Sequence, residues 1–172
     1  MFEIDIITLI MAVAGMVAFA IPFYLNSQKV KKEKAQKSNK LTEFLKNHDL
    51  SLSEQEEWRN RYFIGIDTQK NKLIYISNLN EINPILIDLY KVNHVKIHEV
   101  SRVIGTKGNS RKIIDALSLQ LINYDGKIIG DLEFYDGEIF SDLVGEPIII
   151  KKWEATLQSL VKNQQKNNRI AI

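Results

Sequence analysis

The chain has 172 residues, no cysteine, and 23 basic against 21 acidic side chains, for a formal net charge of +2. Without cysteine there is no disulfide framework, thioether-attached haem or thiolate metal site. Residues 1–25 carry only Glu3 and Asp5. Residues 26–47 hold seven lysines and two acids, and residues 48–172 hold 16 basic and 17 acidic side chains. The basic character therefore belongs to one short stretch, and the nearly neutral remainder argues against a general affinity for nucleic acid.

Ile6 to Leu25 is a run of twenty residues without an ionisable side chain. A helix of that length is about 30 Å long, the thickness of a bilayer's hydrocarbon core. A cleavable signal peptide would place basic residues first and use a small-x-small site such as Ala18-Phe19-Ala20. The acidic start and the continuation through Leu25 favour a retained anchor instead. The lysines lie after the run, which predicts an N-terminus outside and a C-terminal domain in the cytoplasm of a bacterial inner membrane. Lys29, Lys31, Lys32, Lys34, Lys37 and Lys40 are expected at lipid headgroups. Ala14 and Ala18 form a small-xxx-small pair that permits helix pairing, so a homodimer is a further option.

After this stretch, Leu41, Phe44 and Leu45 define a short amphipathic helix that Asp49 to Leu52 breaks. Ser53 with Glu56 gives a capping-box pattern for a second short helix presenting Trp58. From Tyr62 the period becomes two. Strands are expected at Tyr62–Ile66, Leu73–Ser77, Ile85–Leu89 and Val92–Val100, with a polar loop at Arg102–Lys112. Leu117, Leu119 and Leu121 alternate with polar residues, and Asp125-Gly126 signals a hairpin to Ile128–Tyr135. Gly145-Glu146-Pro147 opens a helix with a stripe of Trp153, Leu157, Leu160 and Val161, and the last six or seven residues are expected to fray.

The expected fold class is α+β: a transmembrane helix, then six or seven antiparallel strands as one sheet or a partly open barrel, capped by a C-terminal helix. The corresponding layout is an anchor at 1–25, a basic helical segment at 26–60, a domain at 61–165 and a tail at 166–172. Several stretches carry a resemblance: Tyr62-Phe63-Ile64-Gly65-Ile66-Asp67, Lys72-Leu73-Ile74-Tyr75-Ile76, Ile87-Asp88-Leu89, Lys112-Ile113-Ile114-Asp115, Leu132-Glu133-Phe134-Tyr135-Asp136 and Lys152-Trp153. The chain resembles uncharacterised small single-pass bacterial membrane proteins of the Bacteroidetes kind. That resemblance implies a pleckstrin-homology-like cytoplasmic domain and supplies no catalytic or ligand residues.

Residues 103–114, Val-Ile-Gly-Thr-Lys-Gly-Asn-Ser-Arg-Lys-Ile-Ile, resemble the K-homology signature, whose GxxG loop between two helices clamps single-stranded nucleic acid. Gly105, Lys107, Gly108, Arg111 and Lys112 would form that loop. Arg111 stands where the family has an aliphatic residue, and the preceding segment reads as strand, so a basic hairpin loop is the competing expectation. A phosphate-binding P-loop fails on spacing. His94 and His98, with Glu99 adjacent, lack a third metal ligand in the sequence. Asp125, Asp131, Glu133, Asp136, Glu138 and Asp142 alternate outward or sit at turns, a poor arrangement for paired-carboxylate chemistry. Tyr75, Tyr90, Tyr124 and Trp58 are candidates for a partner surface. The expectation is a non-enzymatic binding or scaffolding protein with no cofactor, whose partners are the bilayer and another protein.

Overall fold

The computed structural model describes residues 6–105 and 110–170, without the side chains of residues 6–10, 12–14, 17, 18, 33, 34, 37 and 167–170. The chain divides into two compact units, residues 1–49 and 50–172. The first is built on α1 (Ile6–Asn47). The second contains β1 (Glu54–Trp58), β2 (Tyr62–Asp67), β3 (Lys72–Ile76), β4 (Ile85–Asp88), β5 (His94–Ile104), β6 (Arg111–Ile122), β7 (Ile128–Asp136) and α2 (Glu146–Ile170).

The expected membrane span is corrected. Among the described residues no helix is long and apolar enough to cross a membrane. The apolar run does not form an element of its own: α1 passes Leu25 and Pro22 without a break and continues through the lysines to Asn47. The single-pass topology, the outside N-terminus and the inner-membrane localisation rested on that span and fall with it. The helix ends where Asp49 takes a φ of +51° and His48 stacks on Phe44 with centroids 4.1 Å apart. Leu41, Phe44 and Leu45 are half-buried, as their spacing predicted.

In the second unit the strands form two antiparallel sheets, β1-β2-β3-β4 and β5-β6-β7, and not one sheet or partly open barrel. The reason lies at the two seams. Between β4 and β5 the chain turns through a short 3-10 segment, Leu89–Lys91, whose entry Asp88 caps by accepting from Tyr90 N–H. At the β7 seam, side chains stand in for a ladder. Trp58 donates its indole N–H to Phe134 O at 3.0 Å and Tyr75 donates its hydroxyl to Glu133 O. The strand groups are thus satisfied without continuous pairing.

The second expected helix is a strand. Ser53 does not cap a helix; its hydroxyl and its N–H both donate to Ile66 O, at 3.0 and 2.8 Å, and start β1 along β2. The β1–β2 connection has three residues, 59–61, and turns at Arg59 and Asn60, whose φ of +56° and +49° give the primed geometry that matches strand twist. The next turn is organised by Asp67, only 1% exposed, which accepts from the N–H groups of Ser51, Gln69 and Lys70. Burial pushes its pKa up, but the three N–H donors outweigh burial and hold it below the ordinary carboxylate value.

Asp67→Asn is therefore expected to cost about 1–3 kcal/mol at pH 7, because one oxygen that accepts becomes a donor. A folded pKa below the unfolded one means this contribution is full at neutral pH and is lost as the carboxylate protonates, below about pH 4. Urea titrations of both proteins at pH 7 and pH 3 should show the gap closing at the lower pH. An equal gap at both would contradict this account.

The core lies between the sheets and under α2. Tyr62, Ile64, Ile66, Leu73 and Tyr75 come from the first sheet, Val95, Leu117, Leu119, Leu121, Leu132 and Phe134 from the second. Trp58 stacks between Tyr62 and Phe134 at 5.2 and 4.6 Å. The α2 stripe is Ile150, Trp153, Leu157 and Val161, all buried, with Leu160 partly so. The helix starts at Glu146, beside the predicted Gly145-Glu146-Pro147 signal, and Gly145 supplies the φ of +90° that turns the chain into it. It stays helical through Ile170, past the expected start of fraying.

Candidate interaction face

The outer face of β5-β6-β7 brings the most chemistry together. On β5, alternate residues turn inward, where Val95 is buried and Ile97 half-buried, leaving His94, Lys96, His98 and Val100 exposed. The edge of β5 is shielded by α2: Val95 N–H donates to Gln158 Oε1 at 3.0 Å and Ile97 N–H to Glu154 Oε1 at 3.1 Å. That removes the first part of this edge as a template for strand addition. What remains accessible there is the side-chain face.

Register aligns that face into rows across the three strands. His94, Ile122 and Ile128 form one; Lys96, Gln120 and Asp131 the next; then His98, Ser118 and Glu133; then Val100, Ala116 and Asp136. In the two middle rows a lysine or histidine thus lies on one side of β6 and a carboxylate on the other, with Gln120 and Ser118 between; the outer rows have Ile128 and Val100 in place of a charge. Gln120 is 6% exposed and donates to Asp131 Oδ2 at 3.2 Å, which keeps the centre level. Glu133 also accepts from the Tyr62 hydroxyl at 2.7 Å. Burial, then Glu133, raises the Tyr62 pKa, and burial raises that of Tyr75, so both phenols stay protonated donors.

Beyond the fourth row β7 leaves the sheet. Gly137 donates to Asp115 O at 2.7 Å, and a Cβ at that glycine would meet the same oxygen at 2.9 Å. The strands β5 and β6 run on as a two-stranded arm past an irregularity at Val100/Ser101. Cross-strand ion pairs hold it, Arg102 to Asp115 at 3.3 Å and Lys112 to Glu99 at 2.6 Å. The hydrogen bond from Lys112, then one from Ser101, lowers the Glu99 pKa. Val103 is 71% exposed, and Val100 and Ile104 are exposed beside it.

This arm bears on the K-homology resemblance. Both flanks of the loop are paired strands, not the two helices that a GxxG clamp needs. Gly105 and Arg111 stand at the two strand ends, Lys112 is ion-paired, and Lys107 and Gly108 lie outside the described residues. The other expected sites do not converge. Lys29, Lys31, Lys32 and Lys40 are exposed on α1, while the side chains of Lys34 and Lys37 lie outside the described ones. His94 and His98 share the exposed side of β5, and among the described residues no three His, Cys, Asp or Glu side chains could hold a metal ion. Asp125 belongs to the β6–β7 turn, Asp136 accepts from Glu138 N–H at 2.8 Å, and Asp142 meets Arg59 at 3.5 Å. Trp58 and Tyr75 are buried and so not partner-facing; Tyr90 and Tyr124 are exposed.

The sequence reading missed two features. The rows across β5-β6-β7 were present in outline, since the Asp125-Gly126 turn fixes the β6–β7 pairing. The joint of Arg59 with Glu146, 87 residues apart, left no local signal. Fold and face together define an α+β protein with an exposed, two-sided charged sheet face. No family model, curated protein or solved structure matches the chain.

Proposed function

We propose that residues 50–172 form a non-enzymatic binding module that takes a protein partner on the outer face of β5-β6-β7. The row Lys96-Gln120-Asp131 carries this reading: opposite charges flank a level centre on an exposed face. A protein surface of mixed charge complements such a face. A nucleic acid does not. Phosphates drawn to Lys96 would meet Asp131 two strands away, about 10 Å, and so within about one Debye length. The binding role expected from the sequence is retained here, without a membrane tether.

A photo-crosslinking residue placed at His98 of the full chain in cells tests this, with Thr68, exposed on the β2–β3 turn, as the control position. The expected result is a discrete protein adduct from position 98, absent from position 68 and lost with Lys96→Asp. Equal labelling from both positions would overturn the reading.

A further inference from the structure

We infer that the partner is a second copy of this chain, docked face to face about a two-fold axis parallel to β6. The inference rests on the binding face proposed above and names its occupant. Rotation by half a turn about an axis lying over β6 keeps each residue's position along the strands and exchanges the two sides. Strand β5 of one copy then lies over β7 of the other. Because the register puts Lys96, Gln120 and Asp131 in one row, Lys96 of each copy faces Asp131 of its partner, and Gln120 faces Gln120. The next row sets His98 opposite the half-buried Glu133, one oxygen of which already accepts from Tyr62, around Ser118. This is the self-complementarity an isologous interface demands: a face with one sign of charge would repel its own image, whereas this one attracts it.

The centre permits the approach. Ala116 and Ser118 project little, and Gln120 is held down by Asp131. Lys96 has no ion-pair partner within its own chain among the described residues, so its charge is available. The outer rows are less well matched, with His94 over Ile128 and Val100 over Asp136. The seven residues His94–Val100 of β5, the part that faces three strands, give a face of about 23 by 14 Å, about 320 Å² per copy. Doubled, that is about 650 Å², below the range of stable specific interfaces, so the pair should be weak and reversible.

Covalent trapping suits a weak pair, and the absence of cysteine makes it clean. In the full chain, Ser118→Cys points the two thiols at each other across the axis, between sheets about 10 Å apart. A short-spacer bismaleimide should convert this variant to covalent dimer at least tenfold more than Thr68→Cys at equal concentration. The control also accounts for any association through α1, which brings chains together without facing residue 118. In the Ser118→Cys background, Lys96→Asp or Asp131→Lys should each lower the yield about tenfold, since each reverses two contacts per dimer. Combined, they exchange the charges and should restore it, which separates charge matching from misfolding.

A yield equal to that of Thr68→Cys, or one unmoved by single reversals, would overturn self-pairing. If in that case His98 still captures a different protein, the binding-module reading stands and only the identity of the occupant fails. If it captures none, both fail.

Discussion

Trp153→Ala should remove about 3–5 kcal/mol of folding stability, the largest effect of any single substitution considered. Trp153 is fully buried at the middle of the α2 stripe, between Ile150 and Leu157. Its indole N–H donates to Glu56 Oε2 at 2.8 Å, and Lys152 reaches the same oxygen at 3.0 Å and Glu54 at 3.1 Å. Truncation thus opens a cavity under the helix and leaves a strand carboxylate with one donor fewer. Since a domain of this size has only about 5–15 kcal/mol in total, the variant should be visibly less stable to urea and lose near-ultraviolet dichroism first. Trp153→Phe separates the two contributions. It keeps most of the apolar volume and loses only the hydrogen bond, so about 1–2 kcal/mol is expected. A cost below about 1 kcal/mol for the alanine variant would mean that α2 does not close the core in this way.

The parts of this architecture that the sequence disclosed are those whose causes are local. The Asp125-Gly126 turn, with Gly126 at a φ of +77°, gives the β6–β7 hairpin, and the period of Trp153, Leu157 and Val161 gives α2. Failures occurred where tertiary partners decided. Ser53 and Glu56 match a capping box, yet Ser53 bonds to Ile66 O and Glu56 receives Trp153 and Lys152 from the far end of the chain. The polar stretch Arg102–Lys112 suggested loop throughout. Its strand ends exist because Arg102 and Lys112 find Asp115 and Glu99 across the ladder, which neutralises charge that a single segment cannot neutralise alone. The apolar start of the chain suggests a separate element, whereas it is the first part of a helix that includes the lysines. The candidate face was half legible: outward alternation on β5 and β7 is a period-two property, but which cation shares a row with which carboxylate depends on register across β6.

Arg59→Met should cost about 3 kcal/mol, and the argument for that value comes from what remains after the guanidinium is gone. Arg59 sits in the β1–β2 turn and donates through Nε to Glu146 and through Nη2 to Asp142 O, with its carbon centre 4.8 Å from the Phe140 ring centroid. The hydrogen bond that Arg59 donates to Glu146 raises the arginine pKa, burial works against it, and the charge of Glu146 adds to the rise. The Glu146 side chain is 1% exposed, against 18% for Arg59. Removing the cation therefore strands a buried carboxylate, a change that costs about 3–5 kcal/mol in comparable sites. The lower end applies here because Val144 N–H still donates to Glu146 and the N-terminus of α2 favours a negative charge. Neutralising the acid should relieve most of the loss. Glu146→Gln alone breaks the same pair, but Arg59→Met with Glu146→Gln leaves no unpaired buried charge, only the exposed Asp142, so the double variant should be more stable than the sum of the singles predicts. Urea titration of the four proteins should give a coupling of about 2 kcal/mol or more. Additive losses would mean that the turn and the start of α2 are held independently, and that the first hairpin does not fix where the last helix begins.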